Sequence, residues 1–184
     1  MKKLLSAFAV LLAAGALLVA GCGDSDSDSD TATFDDDSYP FTFEYPSDWE
    51  ETGDVTQNQQ LGSSQSADVV GVGPSDDNGI ILATYELNQP VTEDNIDQAK
   101  AEFDKLIQQV DPSAEGTAGE VGGYPSVTIE NVPVSDPEGA ENTLIALFDG
   151  TSEYLITCQS LEDDRDEVNA ACEQAQSTLT KKES

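Results

Sequence analysis

The 184-residue chain contains no histidine. This removes the commonest metal ligand and neutral-pH general base, and with it every Ser-His or Cys-His nucleophile scheme and all His-ligated zinc sites. Basic residues are scarce as well: seven Lys and Arg stand against 37 Asp and Glu, a formal charge of −30. Two of the seven, Lys2 and Lys3, open the chain, so the remainder is more acidic still. A surface of that sign does not hold nucleic acid. Phosphate-binding and nucleophile-elbow frames are missing too. Gly71-Val72-Gly73 meets Asp76 where the third glycine of a dinucleotide loop belongs, and no Gly-x4-Gly-Lys occurs. Gly62-Ser63-Ser64-Gln65-Ser66 lacks the Gly-x-Ser-x-Gly frame. Carboxylates are so numerous that any chosen pair is expected by chance. No catalytic residue, metal ligand or cofactor is assigned on these grounds.

What the chain does carry is an address. After Met1-Lys2-Lys3, an apolar run extends from Leu4 to Ala20, interrupted only by Ser6 and Gly15, and ends in Val19-Ala20-Gly21-Cys22. A basic start, an apolar stretch and small residues before a cysteine are the anatomy of a secretory signal with a lipobox. The small side chains of Ala20 and Gly21 let the extended chain enter a peptidase, and the Cys22 thiol then carries diacylglycerol as a thioether. The expectation is a signal peptide over residues 1–21 and a lipid anchor at Cys22. At about 0.8 kcal/mol per buried methylene, two or three acyl chains hold firmly. A retained transmembrane helix is the bland alternative for a run of this length. The basic front, Gly15 and the placement of Cys22 argue against it.

Composition changes abruptly after Cys22. Gly23-Asp24-Ser25-Asp26-Ser27-Asp28-Ser29-Asp30 and Thr31-Ala32-Thr33-Phe34-Asp35-Asp36-Asp37-Ser38 offer almost nothing to bury. Residues 22–38 therefore read as an acidic tether that holds the following domain, 39–184, away from an anionic membrane. Asp24, Asp26 and Asp28 match the opening of an EF-hand loop. Ser29 stands where its glycine belongs and Asp35 where its bidentate glutamate belongs, so weak, nonspecific cation association is the better reading.

Hydrophobic rhythm begins at Tyr39. Phe41-Thr42-Phe43-Glu44-Tyr45 has the two-residue period of a half-buried strand, closed by Pro46-Ser47-Asp48, and Trp49 beyond it reads as core material. Residues 67–73 and 79–87 form two strands around the turn-rich Pro74–Gly79 segment. A second hairpin spans Gly119-Glu120-Val121 and Pro125–Val134 across Gly122-Gly123, and a third joins Glu141–Asp149 to Glu153–Ser160 around Asp149-Gly150. Between them the period lengthens. Over residues 92–110, Ile96, Ala99, Phe103, Leu106, Ile107 and Val110 share one helical face. A closing helix over about 163–180 places Val168, Ala171, Cys172, Ala175 and Leu179 on one stripe, with acidic residues at its start and Lys181 and Lys182 at its end. Strands joined mostly by hairpins, with helices between and after them, predict an α+β fold: an antiparallel sheet of six to seven strands flanked by helices.

With Cys22 spent on lipid, an exported chain is left with an even pair, Cys158 and Cys172. The first sits in the last strand and the second on the inward stripe of the helix that folds back over it, which predicts a structural disulfide. The competing redox reading lacks the Cys-x-x-Cys spacing and has only Arg165 nearby to favour a thiolate.

Tyr39-Pro40-Phe41-Thr42-Phe43-Glu44-Tyr45-Pro46-Ser47-Asp48-Trp49 resembles the opening of PsbP-like domains, in which an aromatic strand runs into a Tyr-Pro-x-x-Trp turn. Gly122-Gly123-Tyr124-Pro125-Ser126 is similar to their mid-domain glycine-proline step, and Tyr154-Leu155-Ile156-Thr157 with the closing helix to their end. The resemblance spans about residues 38–180 and implies an αβα sandwich of the kind found in photosynthetic oxygen-evolving-complex subunits and in bacterial lipoproteins. It also implies a binding or assembly module without a shared active site. Histidines associated with metal binding in some photosynthetic members have no counterpart here, so none is carried over.

The function expected from these readings is a lipid-anchored, extracytoplasmic module that attaches to the membrane through its N-terminal lipid and engages an envelope protein or a small apolar ligand. Two rivals are a hydrolase working with carboxylates alone, and a salt-adapted surface lipoprotein whose acidity reflects its surroundings.

Overall fold

The computed structural model describes residues 30–53, 69–135 and 137–183. Within them the chain runs β1 (Thr31–Phe34), β2 (Phe41–Pro46), β3 (Glu50–Gly53), β4 (Val69–Ser75), β5 (Asn78–Val91), α1 (Ile96–Ile107), β6 (Thr117–Val121), β7 (Tyr124–Pro133), β8 (Glu141–Ser160), α2 (Arg165–Thr178) and β9 (Thr180–Lys181). One 3-10 turn precedes each helix, at Glu93–Asn95 and at Glu162–Asp164. The larger sheet has the order β3-β4-β5-β8-β7-β6 with every pair antiparallel, and a smaller sheet has the order β1-β2-β9. This is the predicted α+β arrangement.

The alternation read in Phe41–Tyr45 is the observed one: Phe41, Phe43 and Tyr45 are buried while Thr42 and Glu44 are half-exposed. Gly122 and Gly123 make the β6–β7 turn with φ of +58° and +80°, a conformation open to glycine at little cost. A Cβ on Gly122 would also run into Leu179.

β8 carries strand geometry along its full length yet doubles back on itself. Its first arm pairs with β7 (Ser126 opposite Leu147) and its second with β5 (Ile80 opposite Cys158). The Arg165 Nε lies 3.3 Å from Glu141 Oε2. A straight run from Glu141 to Ser160 would span roughly 60 Å at 3.3 Å per residue, far beyond what Arg165, five residues past Ser160, could reach back across. Side-chain parity reverses as well. Ile145 and Leu147 share a cluster with Ile156 and Cys158, whereas Leu144, Ala146 and Phe148 share the other with Leu155. Gly150, at φ +64°, sits at the reversal, where the sequence placed the hairpin turn.

Each face of the sheet has its own core. On one face, α2 and the aromatic strand β2 cover Val72, Ile80, Leu82, Ile145, Leu147 and Ile156. On the other, α1 packs against β7 and β6 over Val127, Ile129, Leu144, Ala146 and Leu155. Two helices on opposite faces make the layered sandwich. Trp49 is buried in the first core, as anticipated, and its Nε1 donates to Glu167 Oε1 at 3.1 Å. Asn78 is the buried polar tie of that end of the fold. It donates to Ser75 Oγ and Asp164 Oδ2 and accepts from the Leu161 N–H at 2.6 Å, fixing the β4–β5 turn to the start of α2.

Three expectations need correction. The tether was read to Ser38, but Thr31–Phe34 is strand β1, paired with β2, and Phe34 is only 2% exposed. Phe34 stacks on Phe43 with ring centroids 4.8 Å apart, and that burial draws the acidic segment into the domain. Lys181 and Lys182 do not finish a helix. The chain turns extended at Leu179, Lys181 pairs with Phe41, and Lys182 Nζ meets Asp35 Oδ1 and the Asp36 carbonyl, each at 2.7 Å. Val110 was placed on the packed face of the first helix but is 57% exposed, because α1 ends at Ile107 and the chain turns away there.

Candidate functional site: a cleft between the first helix and the sheet

Of the residues singled out by sequence, Val19, Ala20, Gly21 and Cys22 lie outside the described residues, as do Asp24, Asp26, Asp28 and Ser29. Cys158 and Cys172 are joined in a disulfide with their Cα atoms 6.1 Å apart, both buried in the core beneath α2. Among the described residues no three His, Cys, Asp or Glu side chains converge as a metal site.

Among the concave surfaces of the described residues, the one with an apolar and aromatic wall is a cleft of about 380 Å³; two larger hollows, by residues 111–117 and by residues 48–51, are lined mainly by polar side chains. The cleft opens between α1, the far end of β5 and the β8 reversal, and its walls include Leu87, Ala99, Phe103, Leu106 and Phe148. Its origin lies in the helix. Thr92 and Asn95 hold the helix entry, with the Thr92 N–H donating to Asn95 Oδ1 at 2.7 Å and the Asn95 amide donating to the Pro90 carbonyl at 3.0 Å. At the far end, Asp104 accepts from Lys100 Nζ and from the Gly116 N–H, each at 2.7 Å, tying α1 to the approach of β6. The helix is thus pinned toward β6 and β7. On its β5 side Ile96, Ala99, Phe103 and Leu106 stay only half-buried, while Ile107 is fully buried. The apolar stripe packs on the second core through Ile96, Ala99, Phe103 and Ile107, and its Ala99, Phe103 and Leu106 also form a wall of the cleft.

Glu153 also lines the cleft, and sequence reasoning missed it. It stands opposite Tyr85 in the β5–β8 ladder and shares its side of the strand with Leu155. No ion pair among the described residues involves it. Burial disfavours the charged form and pushes its carboxyl up to about 7. The neighbouring Tyr85 hydroxyl is raised as well, first by burial and then by the Glu153 charge. A signal was present in the alternation Glu153, Leu155, Thr157: a strand that buries the latter two turns the glutamate inward.

The sign of this shift makes a prediction. Unfolded, the carboxyl ionises near 4.5, but folded it holds its proton to about 7, so its protonated form favours the fold. That contribution is complete below 4.5 and is lost as pH rises to 7. Glu153→Gln is expected to stabilise the protein by about 2 kcal/mol at pH 8, after allowing for partial solvent contact, and to change nothing at pH 4. Urea unfolding of both proteins at the two pH values measures it. An equal difference at both would contradict the assignment.

No known protein family's sequence profile matches the chain, and no curated protein does. Solved structures do. Cyanobacterial PsbP (CyanoP) from Synechocystis sp. PCC 6803 superposes with a TM-score of 0.54 at 15% identity, over 83% of this chain and 93% of that one. The domain has the PsbP fold. Two further structures match with lower scores. A protein of Bacteroides thetaiotaomicron VPI-5482 gives 0.49 at 16% identity, over 84% of this chain and 49% of that one. LpqN, involved in cell envelope biogenesis of Mycobacterium tuberculosis, gives 0.47 at 9% identity, over 82% and 84%. The PsbP-like domain here thus has the order and layering that its aromatic opening and closing helix implied, with only 15% of residues identical to CyanoP.

Proposed function

We propose that this protein is a lipid-anchored, extracytoplasmic binding or assembly module of the cell envelope, with no catalytic role of its own. The observation that carries the reading is the disulfide. Cys158 and Cys172 occupy each other, so the remaining cysteine of the three is Cys22, directly behind Val19-Ala20-Gly21. A basic leader, a small-residue lipobox and one cysteine without a partner in the domain support acylation at that position. Among the described residues no helix is long and apolar enough to cross a membrane. Between Cys22 and the first described residue, Asp30, stands only the acidic stretch that composition reads as a tether. What the domain engages is an envelope protein or a small ligand with an apolar body, and the cleft beside α1 offers room for the latter.

Cys22→Ser is expected to abolish incorporation of labelled fatty acid into the protein in the producing cells, with an unchanged circular dichroism spectrum of the domain. Labelling that survives the substitution, or is absent from the parent, would contradict the anchor. In-cell crosslinking of the anchored form is expected to enrich a defined adduct.

One observation favours the rival hydrolase. A carboxyl held near 7 in a cleft is suited to general acid work, and Glu102 supplies a second carboxylate on the same cleft. Turnover in a broad substrate screen that disappears in Glu153→Gln would favour that reading over the binding module.

A further inference from the structure

We propose that the cleft between α1 and the sheet receives a small organic cation: an amine or quaternary ammonium carried on an aromatic or aliphatic body. The inference deepens the binding-module reading and rests on it only in taking this cleft as a ligand site; it is independent of the anchor.

Three observations converge. The cavity, about 380 Å³, lies within the range of small-molecule sites and is walled by Leu87, Leu106 and the rings of Phe103 and Phe148. Both ionisable acids on its lining, Glu153 and Glu102, are carboxylates, and no lysine or arginine lines it. Of the two lysines on α1, Lys100 is held by Asp104 and Glu115, and Lys105 is not on the lining. Glu153 therefore carries a negative charge into partly apolar surroundings with no cation of the protein beside it, and Tyr85 opposite it brings none. A cationic ligand supplies the missing charge, and the aromatic side chains of Phe103 and Phe148 on the same lining add a surface that attracts cations.

The chemistry separates this occupant from others. A calcium or magnesium ion needs about six oxygen ligands, and among the described residues no three acidic side chains converge to hold one. An anion would meet two carboxylates. A neutral apolar molecule would fill the walls and leave Glu153 unpaired.

A matched set of probes tests the proposal: 2-phenylethylamine as the cation, 2-phenylethanol as its neutral counterpart and phenylacetate as the anion. Each is titrated into the full-length protein in maltoside micelles at pH 8, read by the methyl resonances of Leu87 and Leu106. The amine is expected to shift both saturably and to bind about tenfold more tightly than the alcohol, with no response to phenylacetate. The preference is expected to vanish in Glu153→Gln, which still binds the alcohol, and to fade as pH falls from 8 to 5.5 and Glu153 takes up its proton. The Tyr85 hydroxyl opposite Glu153, raised above its ordinary value, stays neutral throughout this range, and the same fading in Glu102→Gln assigns the change to Glu153. Equal binding of amine and alcohol, or a preference that survives Glu153→Gln, would overturn the cationic assignment while leaving a ligand cleft in place. Silence from all three probes would overturn the cleft as a site without touching the anchor.

Discussion

Phe34→Ala is expected to destabilise the protein by about 3–4 kcal/mol, a loss characteristic of a core aromatic. A residue on a solvated leash would cost nothing. The expectation rests on depth and contact: the ring is 2% exposed, stacks on Phe43 at 4.8 Å and meets Tyr39 edge-on at 5.6 Å. Beyond Tyr39 the aromatic chain continues through Phe41, which lies 5.5 Å from Tyr154 and 6.1 Å from Tyr124 on the larger sheet. Removing Phe34 therefore opens a cavity at the head of a packed row, and the short β1 has little else to hold it. Lys182, bonded to Asp35 and Asp36, would keep only the turn in place, through a partly exposed ion pair that contributes less than 1 kcal/mol. Chemical denaturation of Phe34→Ala beside the exposed Thr33→Ala separates the two pictures, with the second substitution expected within about 0.5 kcal/mol of the parent.

Replacing Cys158 and Cys172 together by serine is expected to cost about 3 kcal/mol. The bond closes a loop with a sequence separation of 14, for which restriction of the unfolded chain gives a value of this size. The loop comprises the end of β8 and the first half of α2, so the bond decides whether the helix stays on its face of the sheet. Against a typical net stability of about 5–15 kcal/mol, either substitution alone leaves a folded protein, whereas both together bring it near its limit. Reduction of the parent under native conditions is expected to lower the thermal midpoint by a similar free energy. A midpoint indifferent to reductant would contradict the structural role.

What could be read from the residues follows physical lines. Phe41–Tyr45 declared its strand because a period of two with aromatics on one side admits one burial pattern. The hairpin turns declared themselves through Gly122-Gly123 and Asp149-Gly150, and the disulfide through the placing of two cysteines on elements that must pack. Phe34 was hidden because one aromatic within an acidic run has no period to reveal it. β9 was hidden because lysines after a helix also suit the helix dipole, and nothing local distinguishes that use from pairing with Phe41. The cleft was hidden for a different reason. Periodicity identifies the apolar side of α1 but not how deep it sits: Ala99 and Phe103 pack against the core as that side predicts, yet with Leu106 they stay half-buried and leave the cleft open. Glu153 is one of 37 acidic residues, and its difference from the others arises from the strand it faces, not from its neighbours in sequence.

The structural account of the domain and the proposal about its place in the cell meet at Cys22. Mass spectrometry of the N-terminal peptide from protein isolated from its native membrane addresses that junction most directly. The account predicts a chain that begins at Cys22 and carries diacylglycerol on its sulfur. A chain that retains its leader, or an unmodified Cys22, would contradict it.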